Sequence, residues 1–271
     1  MRELSLEEAK TVELNILLHV NEFCKKNNLR YFLAYGTLIG AVRHNGFIPW
    51  DDDIDISMPR EDYNWLIENF NKMNPNGRYK LISPYSKKAK HSFVKIVDTF
   101  TTKIESGVSY DDDYLGVDVD VFPIDGQPDS ALEFNKWFEK LQKIYRLHHY
   151  CLMEPKGSIK RRIGIPIIRM LTGGKVALVK KADRLLARYP YDKSNYVGVI
   201  ACLYINKGDR FKKECFDKSV EIDFEGQKLP IPAGYDEILT NIYGNYMELP
   251  PEEKRVTHHM NKMFVKDSVE I

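Results

Sequence analysis

Four aspartates crowd the stretch PWDDDIDI: Asp51, Asp52, Asp53 and Asp55. Extended backbone over residues 53–57 would turn Asp53 and Asp55 to one face, because side chains alternate along a strand. Ile54 and Ile56 would point the other way and anchor the strand in a core. Two carboxylates side by side repel unless a cation lies between them, and carboxylate oxygens together with substrate phosphates are what Mg²⁺ favours. An acidic run is more often a solvated loop; the isoleucine alternation and the preceding Trp50 argue against that here. A second pair, Asp118 and Asp120 in GVDVDVFPID, repeats the pattern, with Val117, Val119 and Val121 on the opposite face. Ions that bridge one phosphate need carboxylates from more than one element, so Asp53, Asp55 and Asp120 would act together only if their strands adjoin. DDDY at 111–114 has no apolar alternation and reads as a loop.

Upstream, YGTLIGAVRHNGF supplies a glycine turn that opens a helix, and backbone N–H groups at such an N-terminus can hold a phosphate. Thr37 lies 16 residues before Asp53. A glycine turn, a short helix and then an Asp-X-Asp strand resemble the local pattern of the polymerase-β-like nucleotidyltransferase fold. Arg43 after that helix and Lys95 in FVKIVD could grip phosphate oxygens. Lys254, Arg255, His258 and His259 form a compact basic group after Pro250-Pro251. No Cys-X-X-Cys accompanies these histidines, so no zinc site is expected. His148-His149, on a long helix beside Tyr145 and Tyr150, reads as packing.

The elements that must position these groups follow from caps and periodicity. Ser5 with Glu8 predicts a capping box and a helix to about Asn27, with Ala9, Val12, Ile16, Val20 and Phe23 inward. Strands are predicted at Tyr31–Ala34, over IDISM, and at Tyr79–Ser83, Ser92–Val97 and Val117–Phe122. Pro59 opens a helix that buries Tyr63, Leu66, Ile67 and Phe70. Long helices follow at about 130–152 and 158–188, the second interrupted by Pro166 and by Gly173-Gly174. Ile222–Phe224 and Lys228–Ile231 flank a hairpin turn at Glu225-Gly226, and Ala233–Tyr243 is the final helix. The expected organisation is a catalytic core over 1–128, a basic helical insertion over 129–193 and a mixed segment over 194–271 that completes the site.

Composition sets the class. The chain has 271 residues, 43% hydrophobic and 29% charged, with a net charge of +1, so it reads as an ordinary globular protein and not a polyelectrolyte for nucleic acid. Between Lys156 and Lys193, however, eleven Lys/Arg meet two Asp, +9 in 38 residues, against −8 elsewhere. Basic and apolar residues interleave there, as in Lys160-Arg161-Arg162 before IGIPII, which suits a membrane surface or an anionic, lipid-linked acceptor. No run is apolar enough to span a membrane, MRELSLEEAK lacks a signal-peptide core, and the four cysteines have no metal or redox spacing. A reduced cytoplasmic setting is the expectation.

Taken together, these residues resemble the LicD family, which includes fukutin-like proteins. GTLIGAVRHNGFIPWDDDIDISMPREDY carries the signature, and FVKIVDTFTTKIE, VDVDVFPIDG and YGNYMELPPEEKRVTHH follow in order, so the resemblance spans about residues 5–262. It implies an α/β (α+β) fold of the polymerase-β-like nucleotidyltransferase type, a mixed sheet flanked by helices with an added helical segment. It also implies a metal-dependent transferase, with Mg²⁺ or Mn²⁺ held by Asp51, Asp53, Asp55 and Asp120. Of these, Asp53, Asp55 and Asp120 would be catalytic. Bacterial members move phosphocholine from CDP-choline to a teichoic acid or lipopolysaccharide precursor and release CMP. Relatives outside bacteria transfer ribitol phosphate.

In that setting Gly36, Thr37, Arg43, Lys95, Lys254, Arg255 and His258 would hold the donor phosphates. Trp50 is the aromatic candidate for the quaternary ammonium, which can only be met by ring faces and carboxylates. The expected partners are CDP-choline and a lipid-linked glycopolymer precursor, with peripheral contact at the inner face of the cell membrane and no nucleic acid. Two alternatives stay open: a CDP-linked polyol donor, or a catalytically silent glycopolymer-binding scaffold on the same fold.

Overall fold

The computed structural model describes residues 1–74, 77–104, 116–203, 207–257 and 262–266. A short strand, β1 (Arg2–Glu3), leads into α1 (Leu6–Lys26), whose capping box is formed: Ser5 Oγ accepts from the Glu8 N–H and the Glu8 carboxylate accepts from the Ser5 N–H. β2 (Phe32–Leu33), α2 (Tyr35–His44), β3 (Ile54–Pro59), α3 (Arg60–Met73), β4 (Tyr79–Ile82), β5 (Val94–Asp98), β6 (Thr101–Ile104) and β7 (Asp118–Gln127) complete the first half. Then come α4 (Ala131–Leu152), α5 (Ile159–Thr172), α6 (Gly174–Leu186), β8 (Tyr196–Val199), β9 (Phe211–Lys212), β10 (Ser219–Phe224), β11 (Gln227–Pro232), α7 (Tyr235–Tyr243) and β12 (Lys262–Val265).

The main sheet is mixed, in the order β2-β3-β7-β5-β4, with β8 on the far half of β7 and β9 beyond it. β7 is its spine, parallel to β3 and antiparallel to β5 and β8. Alternation along the strands divides the residues between two faces. Ile54, Ile56 and Met58 of β3, with Val119 and Val121 of β7, join the core built on α1 and α3. Phe122 and Ile124 point to the other face, into a second core with Phe32, Tyr191, Val197, Val199, Phe211 and Ile238. A third core lies between α4 and α6, around Trp137, Leu141, Tyr145, Leu178 and Leu186, with His148 buried on α4. The expected mixed sheet flanked by helices is what the chain forms.

Several boundaries differ from the sequence reading. The basic stretch is two helices, not one: Gly173 and Gly174 both take left-handed backbone (φ 74 and 81), which glycine adopts without strain, and the chain turns there. Pro166, by contrast, stays within α5 and interrupts nothing. β7 runs to Gln127 instead of stopping at Phe122, because β8 pairs its second half. Phe23 and Ile67 are only half-buried; Phe23 stacks at the rim on Phe70, 4.8 Å between ring centroids, while Leu17 and Cys24 complete the inner face of α1. Residues 111–114 lie outside the described residues.

Candidate active site

The acidic site is built where β2 hands over to α2. Asp55 is the second residue of β3, and its backbone is held at both ends by that turn: its N–H donates to Thr37 Oγ1 (2.8 Å) and its carbonyl accepts from the Ala34 N–H (3.0 Å). Tyr35, the first residue of α2, has a left-handed backbone (φ 46), a strained choice for a tyrosine. Its hydroxyl donates to Asp209 Oδ2 (2.6 Å), and Asp209 also accepts from the Val199 N–H (2.9 Å). Burial pushes the Asp209 carboxyl up to about 6. Gly36 follows Tyr35, and a Cβ there would lie 2.5 Å from Asp51 Oδ2, so any larger residue would displace that carboxylate. Glycine thus lets the Asp51 carboxylate approach the start of α2.

Parallel pairing of β3 and β7 puts Asp55 directly beside Asp120, on the face opposite the α1/α3 core. The antiparallel pairing of β5 brings Lys95 opposite Asp120 on the same face. Oxygens of Asp51, Asp52 and Asp53 lie within 4.8 Å of one another at the entrance to β3. The charges raise each other's proton affinity. Asp51 is pushed up to about 7 by burial and then by Asp53 and Asp52. Asp55 is raised well above the carboxylate range by burial, Asp53, Asp120 and Asp51, against the pull of Lys95. Burial pushes Asp120 up to about 7 despite Lys95, with Asp118 adding to the rise.

An all-oxygen donor set that repels itself when ionised suits a hard divalent cation. Of the expected ligands, Asp51 and Asp53 cluster with Asp52, while Asp55 pairs with Asp120 and is near enough to Asp53 and Asp51 for their charges to raise it. Asp52 is buried and was not singled out by alternation, since it precedes the strand.

Lys95 is placed differently from a free phosphate ligand. It is buried, with its ammonium on Asp118 and, at 2.6 Å, on Asp120 Oδ1. Asp118 also accepts from Lys103 (2.7 Å), and the two lysines hold its carboxyl below the usual range against the effect of burial. Next to Lys103 is Glu13 of α1, fully buried, neither oxygen hydrogen-bonded, and raised well above its ordinary value by burial. Lys103, Glu13 and the Asp118 ion pairs carry no sequence signal, because residues from four separate elements meet only after the sheets form. Tyr243 of α7 was missed for the same reason. Its phenol is raised by burial and by Asp55, Asp209, Asp51 and Asp53, so it borders the cluster.

The basic groups lie at the end of α2 and in the segment after Pro250. Arg43, at the end of α2, donates to the carbonyls of Tyr246 (2.6 Å) and Glu248 (3.3 Å), and Arg255 donates to Pro250 O (2.8 Å). Arg43 is lowered by burial and by the nearby Arg255. Neither guanidinium meets a carboxylate among the described residues. Arg255 also stands 5.7 Å from the centre of the Trp50 ring, whose edge contacts His44. Lys254 is exposed beside Arg255, and His258 and His259 lie outside the described residues. The loop after α2 is clamped by the β10–β11 hairpin, where Glu225 accepts from the Phe47 N–H (3.0 Å) and donates its own N–H to Asn45 O (3.0 Å).

Residues 28–155 match the family model described as LicD/FKTN/FKRP, nucleotidyltransferase domain. The chain is 29% identical over 275 residues to the lipopolysaccharide cholinephosphotransferase LicD of Haemophilus influenzae, covering 98% of this chain and 100% of that protein. An uncharacterized protein of Rickettsia typhi is 41% identical over 63 residues, 23% of this chain and 20% of the relative. Mannosyltransferase regulator 4 of Saccharomyces cerevisiae is 28% identical over 106 residues, 36% of this chain and 8% of the relative.

Proposed function

The chain belongs to the LicD family, and from that membership we propose that it transfers phosphocholine from CDP-choline to a hydroxyl of a cell-surface glycopolymer precursor, releasing CMP. The observation that carries the reading is Asp55 beside Asp120 on adjacent parallel strands, with Asp51 and Asp53 at the same mouth. The name of the Haemophilus relative supports cholinephosphate and lipopolysaccharide as the cargo and acceptor class.

The acceptor oxygen forms a bond to the choline phosphorus while the bond from that phosphorus to the CMP oxygen breaks. Mg²⁺, held by Asp51, Asp53 and Asp55 with Asp120, would supply charge neutralisation for the diphosphate and the departing CMP. Arg43 and Arg255, which meet no carboxylate among the described residues, orient phosphate oxygens. Asp120 either completes the ligands of the metal or accepts the acceptor's hydroxyl proton. Lys95 positions Asp120 and limits its negative charge. Gly36 and Thr37 hold the acidic strand against the start of α2.

One observation favours a second reading. Arg255 stands over the Trp50 ring, so a quaternary ammonium would share that aromatic surface with a guanidinium. A polyol phosphate makes no such demand. CMP release from CDP-choline with Mg²⁺, with and without a glycopolymer-precursor extract of verified acceptor content, tests both. Extract-stimulated release that disappears in Asp53→Ala supports phosphocholine transfer. Release only from a CDP-polyol moves the assignment to the second donor, and silence with every donor leaves a binding scaffold.

A further inference from the structure

Helix α5 turns an apolar stripe to solvent. Ile159, Ile163, Ile167 and Met170 follow at spacings of four, four and three, one side of a helix. All four are exposed, Ile159 and Met170 by 74% each, and the adjoining Leu171 by 75%. The helix is not loose. Its other side carries buried Ile165 and packs Ile168 against the α4/α6 core, while Arg169 donates to the carbonyls of Cys151 (3.0 Å) and Met153 (2.7 Å). Single exposed isoleucines are ordinary, but a contiguous row on one firmly held helix marks an interaction surface.

The charges around the stripe indicate what it meets. No acidic residue occurs from Lys156 to Ala182. Lys160, Arg161 and Arg162 occupy the first turn, where the helix dipole disfavours cations. These three, with Lys180 and Lys181 of α6, have no side-chain partner among the described residues. Uncompensated cations at an unfavourable helix end fit an external anionic surface. Fourteen residues span about 21 Å, too short to cross a bilayer core of about 30 Å. No helix among the described residues is long and apolar enough to do so. A second copy of the chain would bring the same positive segment against itself.

We propose that α5 is an interfacial helix lying in the plane of an anionic bilayer, with Ile159, Ile163, Ile167 and Met170 inserted and Lys160, Arg161 and Arg162 among the headgroups. The inference stands on α5 itself and is independent of the transferase reading, because its test needs neither donor nor acceptor.

The experiment is co-sedimentation of the full chain with vesicles of phosphatidylcholine alone or mixed with phosphatidylglycerol, at low and high salt. Binding should require phosphatidylglycerol and weaken with salt. Each basic residue is worth about fivefold at an acidic surface, so Lys160→Glu/Arg161→Glu/Arg162→Glu should lose about 100-fold or more. Ile163→Glu/Met170→Glu should lose at least about tenfold, and Ile163→Ser/Met170→Ser a smaller amount, with unchanged far-UV circular dichroism showing that the fold is kept. Failure of the wild-type chain to bind phosphatidylglycerol vesicles overturns the proposal, as does equal binding by the folded Glu variants. A dimer in sedimentation equilibrium that Ile163→Glu/Met170→Glu dissociates, without vesicle binding, also overturns it and assigns the stripe to self-association.

Discussion

Asp118→Asn should unfold the chain far more readily than Asp120→Asn, although the two residues share one face of one strand. Asp118 is the common partner of two buried ammonium groups, Lys95 and Lys103. After the substitution Lys95 keeps Asp120 at 2.6 Å, so the damage concentrates at Lys103, left without an ion pair and with only the more distant charge of Asp120 and the buried Glu13 to act on it. Stranding one buried charge costs about 3–5 kcal/mol, against a total stability of roughly 5–15 kcal/mol for a domain. Urea unfolding followed by tryptophan fluorescence measures the loss. Adding Lys103→Met should recover part of it, with a coupling of about 2 kcal/mol or more between the two positions. The same variant has a catalytic signature, because Asp118 helps to raise Asp120. Its removal should move the acid limb of the CMP-release profile to lower pH. A loss below about 1 kcal/mol in Asp118→Asn, or a coupling near zero, would refute the assignment of Asp118 as the counter-charge that lets both lysines be buried.

Three further outcomes follow from the geometry. Gly36→Ala should cost less than about 1 kcal/mol of stability, since alanine suits a helix better than glycine. It should nevertheless push the Asp51 side chain aside and raise the Mg²⁺ concentration needed for half-maximal CMP release several-fold, as a metal titration would show. Glu13, protonated in the fold but ionised when unfolded, lowers stability as pH rises above the ordinary carboxylate range; Glu13→Gln should flatten urea midpoints between pH 5 and pH 7 and match or exceed wild type at pH 7. His148 works in the opposite direction. Burial lowers it from 6.5 to about 4, so the unfolded chain binds the extra proton and stability falls as pH drops through that window, by up to about 3 kcal/mol. His148→Gln should remove that slope, which paired urea curves at pH 7 and pH 4.5 would detect.

What could be read before folding, and what could not, divides along physical lines. Asp53, Asp55 and Asp120 were legible because isoleucines and valines with a period of two fix which face a strand's carboxylates share. The adjacency of β3 and β7 was not, since the pairing of two strands more than 50 residues apart has no local signal and is decided by how α1 and α3 pack on the sheet. The capping box at Ser5 and the hairpin at Glu225 are local and were readable. Lys95 was legible as a basic residue near the site, but only the register of β5 against β7 shows it between Asp118 and Asp120. Glu13 and Lys103 look like surface charges in sequence and are buried because a helix and a strand from different parts of the chain close over them. The interleaved basic and apolar residues of α5 were legible as suited to a membrane surface, but which of its apolar residues face outward was not. Its isoleucines had the composition of a core, and only the packing of Ile165 and Ile168 shows which side the core does not use.

The bonds that finish the site reach a long way along the chain. Tyr35 meets a carboxylate 174 residues later, and Arg43 meets a carbonyl 203 residues later. At ordinary rates of translation the ribosome needs about 10–40 seconds to make the intervening segment. Throughout that interval α2 and the acidic turn exist without Asp209 to secure the strained Tyr35 and without the α7-to-Pro250 segment to seat Arg43. These contacts are thus among the late ones to form, and such distant pairings are intrinsically slow. Ordering of the acidic turn is a late event in biosynthesis, after β3, β5 and β7, which carry Asp55, Lys95 and Asp120, have already been made.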